Sequence, residues 1–275
     1  MTAFICITCG TQYAPTDAPP ECCPVCEDER QFVGPGGQAW TTLEKMRQTH
    51  FNAFRRYEPK LFGIGSFPHF AIGQRALLVQ TPAGNVLWDC ISLLDDATVE
   101  IVNALGGLAA IAISHPHFYT TMVEWSRAFA APIHLHAADR QWVMRPDDAI
   151  RFWDGESREL LPGLTLIRAG GHFSGGTVLH WRDGAAGRGA LLSADIAQVT
   201  RDRKYVSFLW SYPNMIPLPP GTVERIAGRL ARFRFEAVYG IFWDLVIPAN
   251  GSAVVARSAE RYIAAVTGEG RAGGS

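Results

Sequence analysis

Between residues 70 and 265 the chain alternates short apolar runs with amphipathic stretches, and this alternation limits the fold more than any other feature. FAIGQRALLVQ, the turn PAGN and VLWDCI read as strand, turn and strand. DATVEIVNAL then reads as a helix, LAAIAIS as a strand, TMVEWSRAFA as a helix, PIHLH as a strand and AADRQWVM as a helix. The second half repeats the theme: LTLIRAG, TVLHW and ALLSAD as strands, PGTVERIAGRLARF as a helix, EAVYG as a strand and GSAVVARSAERYIAAV as a last helix. A hairpin opening followed by strands alternating with helices buries its apolar faces in a layered α/β domain, sheets covered by helices. Ahead of it, TTLEKMRQTHFNAFRRYEPKLF sets Leu43, Met46, His50, Phe51, Phe54 and Tyr57 at helical spacing. That spacing predicts one amphipathic helix with His50 packed on its apolar stripe.

The N-terminus has a different grammar. Five of the six cysteines fall within the first 26 residues, as Cys6-x-x-Cys9-Gly and, after 13 intervening residues, Cys23-Pro-Val-Cys26. Each CxxC sets two thiolates on a tight turn, and two such turns complete a tetrahedral S₄ metal site. Cys22 is a spare whose use in place of Cys23 alters the second spacing. The ion is zinc or iron; a closed Cys₄ site favours structural zinc, while the CxxCG and CPxC pieces are also similar to rubredoxin-like modules. The reading therefore divides the chain into a Cys₄ module over 1–33, a Gly-Pro-Gly-Gly linker over 34–40, the layered domain over 41–267 and a flexible tail over 268–275.

Composition narrows the partners. Hydrophobic residues make up 48% and aromatic residues 11%, enough for a sizeable core, and the net charge is −1 with no clustering of Lys or Arg. No nucleic-acid footprint is present. No run approaches the roughly 18 apolar residues of a membrane span, and MTAFICITCG lacks a signal-peptide pattern, so the expectation is a cytoplasmic protein with no membrane partner.

Four residues with ligand chemistry sit just past predicted strands: His115 and His117 after LAAIAIS, His172 after LTLIRAGG and Asp195 after ALLSA. Strand ends are where α/β folds place functional groups. His134, His136 and His180 lie inside strands and read as packed residues, as does Cys90. His69 and Asp244 read as edge residues.

With these landmarks in order, together with Trp88-Asp89 at the end of the opening strands and GGHFSGG around His172, the chain resembles the metallo-β-lactamase-fold hydrolases over roughly residues 60 to 265. The resemblance implies a four-layer αββα sandwich with a metal site at one edge between the sheets, and hydrolysis by a metal-activated water. It assigns His115, His117 and His172 to a first metal, and Asp195 to a bridging or water-holding role. The family's His-x-His-x-Asp-His string departs here: Tyr119 stands at the Asp and Thr120 at the second-metal His, and Ile241, Phe242 and Trp243 stand where a late His belongs. The losses fall on one metal, so the expectation is a mononuclear site, zinc or iron, with Asp195 and Tyr119 as the catalytic candidates. Thr120 or Thr121 is expected to cap the next helix.

The loop YVSFLWSYPNMIPLPPG follows Asp195 and carries Phe208, Trp210, Tyr212 and Met215. With Phe173 and Trp243 it is read as an apolar wall for a small ester, thioester or lactone, or alternatively as the contact of a homodimer. Two rival readings stay open at this stage. One is a non-catalytic scaffold with a structural zinc module, and the other is a mononuclear non-haem iron oxygenase.

Overall fold

The computed structural model describes residues 1–269, which fall into two compact units, Met1–Asp154 and the segment from Gly155 onward. The division lies inside the segment read as one domain, and the cysteine module packs within the first unit.

In the first unit, β1 (Ile5–Cys6) pairs antiparallel with β2 (Trp40–Thr41), and the short helix α1 (Pro24–Glu27) carries the second CxxC turn. The four cysteines Cys6, Cys9, Cys23 and Cys26 share a small core with Tyr13 and Val25, covered by Trp40, Trp142 and Met144. Arg30 lies over the Trp142 ring at 5.1 Å, so the glycine-rich stretch does not leave this module hanging free.

Helix α2 (Leu43–Thr49) is capped by Thr42, whose hydroxyl accepts from Lys45 N, and it ends after seven residues. The single long helix expected here is a correction: the chain turns extended at His50 and runs into β3 (Phe51–Glu58), which forms a hairpin with β4 (Leu61–Phe67) through Pro59-Lys60. The apolar positions Phe51, Phe54 and Tyr57 fit helical spacing, but a non-local partner outbids it: Phe51 faces Phe67 across the ladder and the rings stack at 6.1 Å. His50 is packed as expected, edge-on to Phe70 at 5.6 Å.

The sheet continues through β5 (Ala76–Val79), β6 (Val86–Trp88), β7 (Ala110–Ala112), β8 (Ile133–His136) and β9 (Ile150–Trp153) in the spatial order 3-4-5-6-7-8-9. From β6 on the pairs are parallel, with α3 (Asp96–Ala104) and α4 (Met122–Phe129) as crossovers. Strands buried on both faces read as continuous apolar runs, which is why ALLV, VLW and AIA are legible. Asp95 caps α3 through a 2.8 Å bond from Thr98 N. Thr121 occupies the cap position of α4 as expected, yet its hydroxyl donates to the carbonyls of Ile91 and Ser92 instead of capping. AADRQWVM forms a 3₁₀ turn over Ala137–Trp142, not an α-helix.

In the second unit, β10 (Ser157–Leu161), β11 (Leu164–Arg168), β12 (Thr177–Trp181) and β13 (Ala190–Ala194) form an antiparallel meander, with the short left-handed turn α5 (Gly184–Gly187) between the last two. Small strands follow: β14 (Gln198–Val199) with β15 (Val206–Ser207), and β16 (Leu209–Ser211) with β17 (Ile216–Pro217), so the segment read as a Pro-rich loop is largely a hairpin. Helix α6 (Pro220–Leu230) then crosses over to β18 (Ala237–Gly240), which lies parallel to β13, and β19 (Val246–Ile247) closes the edge before α7 (Gly251–Thr267). Val223, Ile226 and Leu230 of α6 and Val254, Val255 and Ala259 of α7 meet Leu191 and Val238 in one apolar core. Most of the predicted tail, residues 270–275, lies outside the described residues. Among the described residues no helix is long and apolar enough to cross a membrane.

Candidate metal centres

The cysteine site is complete within the first unit. The sulfurs of Cys6, Cys9, Cys23 and Cys26 all lie within 4.8 Å of one another and are buried. Cys6 to Cys26 is 3.6 Å and Cys9 to Cys23 is 3.7 Å. Four sulfurs about 2.3 Å from a central ion stand about 3.8 Å apart at the edges of a tetrahedron, so the donor set fits. The Tyr13 hydroxyl donates to Cys23 Sγ at 3.0 Å and Gln38 Nε2 to Cys6 Sγ at 3.0 Å, hydrogen bonds that favour thiolate sulfur. Cys22 is exposed and lies outside the set.

A second set of side chains with ligand chemistry among the described residues is His115, His117 and His172. In the first unit, β7 runs out through Ile113 and Ser114, and a 3₁₀ turn over Pro116–Phe118 brings the His117 ring to 5.3 Å from that of His115. The turn is held from below: Asp89, at the end of β6 with φ +60°, accepts from Ser114 N at 2.8 Å and donates its own N–H to Ala112. Burial pushes the Asp89 carboxyl up to about 7. Ser114 Oγ lies 2.8 Å from His115 Nδ1, so a metal at His115 would take Nε2.

In the second unit, Gly170 and Gly171 with φ +74° and +86° turn the chain after β11 so that His172 is buried. A Cβ at Gly171 would stand 2.8 Å from Ile226 Cδ1 and 2.9 Å from Leu218 Cδ1, and the left-handed φ strains any other residue there. His172 Nδ1 is 2.7 Å from the carbonyl of Trp210. A carbonyl only accepts, so Nδ1 carries the proton and Nε2 presents its lone pair. Tyr212 stacks edge-on to His172 at 5.6 Å and donates its hydroxyl to the backbone carbonyl of Asp195 at 2.5 Å, tying the two together.

The other expected site residues separate. Tyr119 is buried, and burial, with the charge of Asp139 adding to it, pushes its phenol well above the ordinary range. Phe173 is 1% exposed and packs edge-on against His172 at 5.0 Å. Phe208 is buried in the apolar core of the second unit. Trp210 lines a cavity with Leu218 and Pro219, and Trp243 lines a different one with Gln198 and Phe242, so the single apolar wall is divided. His136 is buried against Trp153, and His180 is held by the carbonyl of Arg234. Asp89, Ser114 and the Trp210 carbonyl escaped the sequence reading. The signal for the first two was present in Trp88-Asp89 and in the serine before His115; a backbone carbonyl leaves no signal.

Solved structures with this fold include the metallo-β-lactamase VMB-1 at pH 5.5, 11% identical over 78% of this chain and 98% of that one with a TM-score of 0.58. Another is the metallo-β-lactamase FIM-1 from Pseudomonas aeruginosa in its mono-zinc form, 15% identical over 77% and 96% with a TM-score of 0.55. A Cronobacter sakazakii metallo-β-lactamase with a HARLDQ motif is 16% identical over 78% and 93%, with a TM-score of 0.51. The fold is that of the metallo-β-lactamases, preceded by a Cys₄ module. No protein-family model matches the chain. Within that fold the chain belongs to the family of the Bacillus subtilis (strain 168) protein named "Uncharacterized protein YmaE", to which it is 50% identical over 271 residues, 98% of each chain.

Proposed function

We propose that the chain is a metal-dependent hydrolase in which His115, His117 and His172 hold a single ion and Asp195 handles the proton of the attacking water. The observation that carries the reading is selective retention. The three first-metal histidines are kept, His115 with Nδ1 on Ser114 and His172 with Nδ1 on the Trp210 carbonyl, while Tyr119, Thr120, Ile241, Phe242 and Trp243 stand in the places of the second metal's ligands. That FIM-1 adopts a mono-zinc form supports one ion as sufficient for the fold.

His115, His117 and His172 would hold the ion, and a zinc ion held there would supply Lewis acidity that lowers the pKa of a water toward about 7. The chain's own residues divide the remaining work. Tyr119, its phenol held well above the ordinary range by burial, stays protonated and is not the base. Asp195 is the carboxylate at the strand end, its backbone anchored by Tyr212. Trp210, Leu218 and Pro219 give an apolar face suited to a small ester, thioester or lactone.

Metal analysis of protein purified without added metal tests the proposal, followed by an ester, thioester and lactone panel. Two zinc ions per chain, falling to one in His115→Ala/His172→Ala with loss of hydrolysis, is the expected result. One zinc unaffected by the histidine substitutions would leave a scaffold with a structural module, and iron outside the cysteine site would turn the reading toward an oxygenase.

A further inference from the structure

The second unit contains a cavity of about 530 Å³ whose lining includes Arg168, Arg225 and Arg229 together with Trp210, Leu218 and Pro219. Arg225 and Arg229 are one turn apart on the same face of α6, and Arg168 ends β11. The lining includes no carboxylate. Arg229 is anchored to the carbonyls of Arg168 and Ala169 and shares Glu156 with Arg232, at 3.5 and 3.2 Å. Arg168 donates Nε to the Ser174 carbonyl, and Arg225 donates to the Gly221 carbonyl and to the Thr222 hydroxyl at 2.9 Å. These bonds fix the direction of each guanidinium without neutralising it. Among the described residues no carboxylate lies within ion-pair distance of Arg168 or Arg225.

A second observation has the same sign. Helix α6 begins beside this cavity, at Pro219 and Pro220, with no side chain capping its first turn, so the positive end of its dipole adds to the arginine charge. Two cations without counter-ions and a helix N-terminus, in one cavity with a tryptophan, a leucine and a proline, suit a ligand with an oxyanion at one end of an apolar stem. The cavity adjoins His172 along the chain through Gly171, and Trp210 contributes both to the lining and to the His172 hydrogen bond.

We propose that this cavity binds the oxyanion, carboxylate or phosphate, of an amphiphilic substrate whose apolar stem lies on Trp210 and Leu218. Calling the ligand a substrate rests on the hydrolase reading; the anion site itself does not. Arg168 and Arg225 are the residues that select charge, and Arg229 is a positioning residue that ties α6 to the end of β11.

Calorimetric titration of the zinc-loaded full chain with hexanoate, hexyl phosphate and the uncharged hexanol tests this. At least one anion should bind about tenfold more tightly than hexanol, and Arg168→Gln/Arg225→Gln should remove that advantage, as expected for lost charge-assisted hydrogen bonds. The anion that wins identifies the headgroup. Arg232→Gln, outside the cavity, should leave the affinity unchanged, and added salt should weaken anion binding in the wild type alone. His115→Ala/His117→Ala should bind the anion as the wild type does, which separates this site from capture by the ion. Equal binding of anions and hexanol, equal binding by the double arginine variant, or loss of binding in the histidine variant would overturn the proposal. None of these results bears on metal content, so the hydrolase reading fails or stands by its own test.

Discussion

The backbone N–H of Gln12 donates to the carbonyl of Thr120 across 3.1 Å, so the first cysteine turn rests on the loop that carries His115 and His117. Thr120 stands where a second-metal histidine is expected from the family pattern, with φ +36°, and its carbonyl serves the Cys₄ module. The contact is reinforced on both sides. Ser92 Oγ donates to the Gly10 carbonyl at 3.1 Å, and the Arg145 guanidinium joins the side chains of Gln12 and Glu124. An ion held by the four cysteines would therefore brace the histidine loop through Gly10–Gln12.

Gly10 is the tightest point of that bracing. With φ +81° and a Cβ position 2.4 Å from Ser92 Oγ, it has no room for a side chain. Gly10→Ala is expected to cost about 1–3 kcal/mol from left-handed backbone strain, with more if Ser92 is displaced. Hydrogen exchange read by mass spectrometry should then speed up over residues 115–121 as well as over the module. Exchange confined to the module would show that the loop holds itself.

The two cysteines at the second turn should differ sharply. Cys23→Ser removes a buried sulfur 3.7 Å from Cys9 and should lower metal content by one ion per chain, with a large fall in Tm because structural sites contribute folding energy directly. Cys22→Ser removes an exposed thiol and should change neither quantity. Equal effects of the two would mean that the turn can shift its register by one residue.

What the sequence made legible follows the range of the interaction. The Cys₄ set and the His-x-His turn are defined by neighbours within a few residues, and the parallel strands by unbroken apolar runs, so both could be read directly. The segment from Leu43 to Glu58 was misread because Phe51, Phe54 and Tyr57 satisfy helical spacing, and what decides against a helix is pairing with Leu61–Phe67. The orientation of His172 by a carbonyl 38 positions later, and the convergence of Arg168 with Arg225, depend on tertiary placement that no local pattern encodes.

Tyr212 and Trp210 separate positioning from substrate contact. Tyr212→Phe removes the hydroxyl bonded to the Asp195 carbonyl while keeping the ring on His172, and should cost about 1 kcal/mol of stability. In turnover it should lower kcat with KM little changed. Trp210→Ala keeps the carbonyl that orients His172 but strips the cavity wall, so its effect should appear in KM. The reverse pattern would make Tyr212 a substrate contact and Trp210 a positioning residue.

His180 gives the protein an acid-sensitive point away from both metal-binding sets. Its ring is nearly buried on β12, and burial pulls its pKa below the ordinary 6.5 against the opposing effect of the hydrogen bond to the Arg234 carbonyl. The folded state therefore takes up this proton at lower pH than the unfolded chain does. Between 6.5 and the lower folded value the unfolded state binds more protons, so the stability contributed by neutral His180 is complete above 6.5 and is lost as pH falls through that window. Urea unfolding followed from pH 7.5 down to 5 should show this decline. His180→Gln, whose Nε2 can still donate to the Arg234 carbonyl, should flatten the decline at a modest cost in stability at neutral pH. An unchanged slope in the variant would assign the acid sensitivity to other groups.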